Sequence, residues 1–342
     1  MMVLGCDLGG TNVRVRLARG TPEGTQTVAE HHYRSAEHAD LESVLLSFLQ
    51  QTHTAPAALS VACIAVAGPV EILAQEQRAR ITNLPWVVDS AALRQRLGLP
   101  YVELINDFQA IGYGLATLGT AELLTLQPGT PRARAPKALL GAGTGLGQAL
   151  LVWCGTGYEV IPTEGGHCDF GPGDPLETGL LEALSARLGR VSYEDLLSGP
   201  GLVRIAEFLA QQGPYRAGPA LASAPADELP AVIGAAAVAG SDPLAMATVD
   251  RFLGIYGAQA GNLALASLAL GGIYVAGGIA PKLSALFPTS PFLTRFRAKG
   301  PMSQLMERFP VHVVLNPDIG LDGAVHCAWR RSLQRQAGLM PV

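Results

Sequence analysis

The chain has 342 residues, of which 49% are apolar and only 15% charged, with a formal net charge of −4. That length exceeds one ordinary core and points to two domains, or one domain with an inserted lobe. Nothing in this balance supplies the basic surface that nucleic acid requires, so no nucleic-acid partner is expected.

The first twenty residues, MMVLGCDLGGTNVRVRLARG, have neither a basic opening nor an unbroken apolar run. They read as two short strands around a glycine turn rather than a signal peptide, and a cytoplasmic protein is expected. In DLGGT, Gly9 and Gly10 remove side chains where the backbone turns, so successive N–H groups can converge on an anion. Thr11 adds a hydroxyl and Asp7 a carboxylate. A carboxylate beside a phosphate nest calls for a cation between them, so Asp7 implies Mg²⁺ held through water. The plainer alternative is a hairpin turn whose glycines serve geometry alone.

Further along, DLESVLLSFLQQT (40–52) has helical spacing with Asp40 placed to cap it, while LSVACIAVAGP (59–69) and YVELIND (101–107) read as buried strands. This alternation predicts an α/β fold. Asn106 and Asp107 follow the second strand at the start of a helix, where α/β proteins present groups to ligands. They could be plain N-caps, but an aspartate there could also accept the proton of an attacking hydroxyl in phosphoryl transfer.

The stretch 126–137 is rich in Pro, Gly and Ala and is expected as loop. ALLGAGTGLGQALLV (138–152) then repeats the strand, glycine turn and strand of residues 3–18, which suggests two like halves. Its turn offers Thr144 and bare backbone at Gly143 for the outer phosphates of a nucleotide. It matches neither G-x-G-x-x-G nor G-x-x-x-x-G-K-[ST], and none of the three lysines, Lys137, Lys282 and Lys299, lies in a glycine loop. A dinucleotide-binding Rossmann enzyme and a P-loop NTPase are therefore not expected.

TEGGHCDF (163–170) packs Glu164, His167, Cys168 and Asp169 together. It could be a metal site, a structural polar turn or a ligand clamp. The helical metal spacing H-E-x-x-H is missing and Gly165-Gly166 disfavours a ligand-bearing helix. Carboxylates and an imidazole on a glycine turn suit the vicinal hydroxyls of a sugar. Beyond it, 211–230 is another expected loop to which no chemistry is assigned.

The span 253–281 carries no charge until Lys282 and could cross a bilayer of roughly 30 Å, but its glycine pairs divide it into a buried helix and a buried strand. No membrane partner is expected. That strand, in GGIYVAGGIAPKL (271–283), ends at Gly277-Gly278 before an expected helix, where bare backbone would admit a flat adenine or ribose. Cys6, Cys63, Cys154, Cys168 and Cys327 are odd in number and form no C-x-x-C pair, which argues against a disulfide framework or a zinc knuckle and fits a reducing compartment.

Six motifs, DLGGTNVR, LINDFQAIGYGL, GAGTGLG, EGGHCDF, GRVSYEDLLSGPGL and VAGGIAPKL, occur in the order and approximate spacing of bacterial glucokinases. From residue 3 to about 330 the chain resembles that family, in the branch lacking the zinc-binding cysteines of the ROK sugar kinases. The resemblance implies the duplicated actin-like ATPase (ribonuclease H-like) fold, two α/β lobes around a cleft, spanning 1–117 with 310–342 returning to it, and 118–309. It implies ATP-dependent phosphorylation of glucose at its 6-hydroxyl, with Mg²⁺, in a cytoplasmic homodimer. By the same resemblance Asp107 is the catalytic base, and Asn83, Asn106, Asp107, Glu164, His167 and Glu194 bind the sugar. Asp7, Gly9, Gly10, Thr11, Asn12, Gly143 and Thr144 face the phosphates and Mg²⁺, and Gly277 and Gly278 the adenosine. Asp322, in IGLDGAV, departs from the small or apolar residue expected there. The alternatives are a kinase for another hexose or amino sugar, and a non-catalytic sugar sensor. Sensors of this fold carry a DNA-binding helix-turn-helix ahead of the first phosphate loop, whereas here that loop begins at residue 7.

Overall fold

A computed structural model describes residues 1–73, 76–82 and 84–339. The chain divides into two compact units, the first running from Met1 to Leu118 and resuming at Pro317, the second spanning Gly119–Asn316.

The first unit contains β1 (Met2–Leu8), β2 (Asn12–Thr21), β3 (Gly24–Arg34), α1 (Leu41–Gln51), β4 (Leu59–Val66), β5 (Val70–Leu73), β6 (Glu76–Arg80), β7 (Val87–Asp89), α2 (Ser90–Leu97), β8 (Val102–Asn106) and α3 (Asp107–Gly114). Its main sheet has the order β3-β2-β1-β4-β8, and β5, β6 and β7 form a smaller sheet. β1 is antiparallel to β2 and parallel to β4, which is parallel to β8. β4 reads as an unbroken apolar run because seven of its eight residues are buried, as central parallel strands require. α1 starts where its sequence says it should: Asp40 accepts from the Ser43 N–H, and the Ser43 side chain bonds back to Asp40.

The second unit contains β9 (Leu123–Gln127), β10 (Lys137–Ala142), β11 (Leu146–Trp153), β12 (Tyr158–Thr163), α4 (Pro175–Leu188), α5 (Gly199–Gln212), α6 (Pro219–Ser223), α7 (Leu229–Ala239), α8 (Pro243–Ser267), β13 (Gly272–Ala276), α9 (Phe292–Arg297), α10 (Ser303–Met306) and β14 (Val311–Val314). The sheet order is β12-β11-β10-β13-β14-β9. Tyr256, Phe252, Phe292 and Phe296 fill the core on α8 and α9. The final helix, α11 (Ile319–Gln336), belongs to the first unit. It lies close against α3, since a Cβ on Gly323 would stand 1.7 Å from the Ala110 carbonyl oxygen. The glycine of IGLDGAV is thus a packing residue, and Asp322 beside it pairs with Arg16 of β2.

Four expectations need correction. The return to the first unit begins at Pro317 rather than 310, because Val311–Val314 pair with β13 and β9. In 126–137, Leu126 and Gln127 finish a strand. The stretch 211–230 is only partly loop: it holds α6, the last residues of α5 and the first of α7. After Gly278 the chain forms a single 3-10 turn, Pro281–Leu283, in place of a helix. The uncharged 253–281 span resolves into α8 and β13 as expected, and no single described helix is long and apolar enough to cross a membrane. All five cysteines are free.

Candidate active site

On the first unit, the turn between β1 and β2 carries Gly9, Gly10 and Thr11, and Asn12 opens β2. The Gly9 N–H is spent on the Asn12 carbonyl at 3.0 Å, which holds the turn shut. The N–H groups of Gly10 and Thr11 donate to no described residue, so the anion nest is smaller than the sequence suggested but present. Asp7 is directly opposite Arg14 in the β1–β2 register and accepts from its Nη2 at 2.7 Å. Arg14 also binds Asp318. Partial desolvation lowers the Arg14 pKa, but the hydrogen bonds and charges of the two aspartates outweigh it and raise the pKa, so the guanidinium stays charged. The Oδ1 of Asp7 accepts from no described residue.

Asn106 is the N-cap of α3, and Asp107 is its first residue. The Asn106 Oδ1 accepts from the Gln109 N–H at 2.6 Å, and the Gln109 side chain returns the bond, a capping box. Capping takes only the amide oxygen, and the Asn106 NH₂ group bonds no described residue. Asp107 is open to solvent, with one carboxylate oxygen accepting from the Phe108 N–H at 2.8 Å. The protein mass around its carboxyl group weakens hydration and, with the nearby Asp7 charge, raises its pKa against the opposing pull of that N–H.

On the second unit, TEGGHCDF forms one 3-10 turn, Gly165–His167, laid over β11. Its glycines are there because β11 passes directly beneath. A Cβ on Gly166 would stand 2.1 Å from the Leu146 carbonyl oxygen, and one on Gly165 would stand 2.4 Å from the Gln148 Oε1. Glu194 is brought to this turn from 27 residues on by backbone pairing: its N–H donates to the Gly166 carbonyl, and Oε2 accepts from the Leu146 N–H at 2.9 Å. The His167 Nδ1 lies 3.8 Å from the Glu194 Oε1, and its Nε2 lies 3.9 Å from the Glu164 Oε2. Both separations exceed a hydrogen bond. The side chains of Glu164 and His167 are 83% and 57% exposed, so these three groups present unused acceptors and a ring to solvent. Asp169 is instead held by Arg190, which also donates to the His167 carbonyl.

The turn between β10 and β11 repeats the first one. The Gly143 N–H is spent internally, on the Gly145 carbonyl at 2.8 Å, while the N–H groups of Thr144 and Gly145 donate to no described residue. Gly277 has φ +83, and a Cβ there would strike the Ala142 carbonyl oxygen at 2.6 Å, so only glycine fits. Gly143 and Gly278, by contrast, face open space. Both line a cavity of about 1200 Å³ together with Thr144, Pro200, Pro230 and Leu283. Its size and mostly apolar walls suit a nucleotide.

The candidate residues therefore fall into two sets: Asp7 to Asn12, Asn106 and Asp107 on the first unit, and Gly143, Thr144, Glu164, His167, Glu194, Gly277 and Gly278 on the second. Asn83 lies outside the described residues. Sequence reasoning missed Arg14, whose signal was its place opposite Asp7 in the hairpin. It also missed the cavity wall supplied by α5, α7 and the turn before α7, where Ala226 and Asp227 come from a stretch to which no chemistry had been assigned. Only a contact between distant segments could have revealed that wall.

The family model described as glucokinase matches residues 4–331. A glucokinase of Trichormus variabilis is 42% identical over 344 aligned positions, covering 96% of this chain and 99% of that one. The crystal structure of a glucokinase from an Antarctic psychrotroph superposes with a TM-score of 0.83 at 30% identity, covering 96% of this chain and 99% of that chain. A ROK family glucokinase from Streptomyces griseus, solved with glucose and AMPPNP, has a TM-score of 0.58 at 21% identity, covers 96% of this chain and all of that one, and shares the fold. With matches of this extent in both sequence and structure, the chain belongs to the glucokinase family.

Proposed function

We infer that this protein transfers the terminal phosphoryl group of ATP to the 6-hydroxyl of glucose, giving glucose 6-phosphate and ADP. The observation that carries the reading is the pairing, in one glucokinase-family chain, of a base with a raised pKa, Asp107, with a sugar clamp, Glu164, His167 and Glu194. Asp107 accepts the proton of the attacking hydroxyl. Its raised pKa makes it a better base than an ordinary aspartate. The NH₂ of Asn106 donates to a sugar hydroxyl, and Glu164, His167 and Glu194 hold the others, with Asn83 assigned to the sugar by resemblance. The free N–H groups of Gly10, Thr11, Thr144 and Gly145 take phosphate oxygens, and Gly277 and Gly278 let the adenosine lie on the cavity wall.

The residues present fit Mg²⁺. Asp7 keeps one hard carboxylate oxygen unpaired among the described residues, and a nearby cation would relieve the Asp7 repulsion that adds to desolvation in raising the Asp107 pKa. Asp7 would hold the ion through water, and the ion would offset the charge of the phosphate chain. A cytoplasmic homodimer is the family expectation, which light scattering on the purified protein tests.

The reading is tested by ADP release from Mg-ATP with glucose, mannose, fructose and N-acetylglucosamine in parallel. Turnover on glucose that disappears in Asp107→Ala is expected. Turnover only on another sugar would reassign the acceptor. Glucose binding without turnover would make the protein a sensor.

A further inference from the structure

One buried side chain beside the clamp is used by nothing described so far. Gln148 lies in β11, opposite Leu140 of β10 and Thr163 of β12. It is 3% exposed, and its Nε2 is buried with no hydrogen-bond partner among the described residues. Folded proteins leave few buried amides unpaired, and each such group costs the fold its desolvation.

The position of this amide is specific. Its Oε1 lies under Gly165, close enough that a Cβ added there would displace the amide. The Gln148 carbonyl accepts from Thr163 Oγ1, which in turn accepts from the Gly165 N–H at 3.2 Å. Residue 148 thus supports the turn both through its backbone and beneath it. On that turn, Glu164 and His167 stand exposed and out of hydrogen-bond reach of each other and of Glu194. A hexose that bridges Glu164 and His167 would pull on the turn that carries them, and that turn lies over Gln148.

We propose that Gln148 is a positioning residue for the sugar site: its unpaired amide bonds the Glu164–His167 turn when that turn closes on the hydroxyls, favouring the closed clamp. The inference rests on the sugar-kinase reading above. It predicts a residue that matters to glucose and not to ATP.

The test is glucose titration at saturating Mg-ATP with the full-length protein, comparing wild type with Gln148→Leu and Gln148→Met. Both variants keep a side chain of similar bulk without the amide. Thermal unfolding is followed with and without glucose. The expected result is a glucose KM raised about 5- to 10-fold, the worth of one hydrogen bond. In the same variants kcat and the ATP KM stay within about twofold, ligand-free stability is unchanged or higher, and the stabilisation by glucose is smaller. An unchanged glucose KM in both variants overturns the proposal. So does lowered ligand-free stability with kcat falling in step, which marks a packing role alone. Wild-type turnover separates the two readings: without it the kinase assignment fails and takes this one with it.

Discussion

The two glycine turns, Asp7–Asn12 and Gly143–Leu146, are built alike and furnished differently. Each joins antiparallel strands, β1 to β2 and β10 to β11, and the first strand of each pair is parallel to the next strand inward, β4 or β13. Each spends one glycine N–H on itself and leaves the next two without a partner among the described residues. The first turn then adds charge: Asp7, steadied by Arg14 and close enough to Asp107 to shift it. The second adds none of its own and borrows Glu194, which accepts from the Leu146 N–H and faces the clamp. On the proposed reading one backbone device would serve two chemistries, cation and base on one copy, nucleotide and sugar on the other. The side chains around the turn decide which.

Breaking the charged copy has the largest expected effect. Asp107→Ala should lower kcat by on the order of 10²- to 10⁴-fold, the usual loss with a general base, while the glucose KM moves little. Survival of turnover within tenfold would remove the base assignment.

The next effect separates glycines kept for the fold from those kept for the ligand. Gly166→Ala drives a Cβ into the Leu146 carbonyl. It should cost about 1–3 kcal/mol of stability through overpacking and raise the glucose KM at least several-fold. Gly143→Ala meets nothing, so chemical denaturation should match wild type while the ATP KM rises. If both variants lose stability alike, the distinction between the two glycines fails.

The smallest effect is a shift in pH dependence. Because Asp107 must be ionised to act and its pKa is raised, the acid limb of kcat/KM should lie above the ordinary aspartate range. In Asp7→Asn a repelling charge is gone, so the Asp107 pKa falls and the limb moves to lower pH, whatever the loss in absolute rate. A limb that stays put would show that Asp7 does not act on Asp107.

Much of the scaffold was legible because it is local. The Asp40 cap, the Asn106 cap and the apolar run of β4 each depend on residues within a few positions of one another, and all stand where the pattern put them. The strand-turn-strand repeat was legible for the same reason. The candidate site was legible only in part. Asn106 is both cap and candidate ligand, and nothing in its neighbours separates the roles. Only the structure shows that capping takes its oxygen and leaves its NH₂ unbonded among the described residues. TEGGHCDF displayed four polar residues of equal promise, and folding spends Asp169 on Arg190 while leaving Glu164 and His167 open.

By itself the sequence determined the helices and strands with strong local patterns, the two glycine turns, and the residue types available for chemistry, since these follow from hydrophobic period and from what glycine, asparagine and aspartate do to their own backbone. Its six motifs also placed it in a family. Only the tertiary structure decided which partners those residues meet: Glu194 with Leu146, Asp322 with Arg16, Gln148 beneath Gly165, and α7 across from Gly143. The physical reason is that such contacts join segments tens to hundreds of residues apart. Their geometry is set by how sheets and helices pack, which no local pattern encodes.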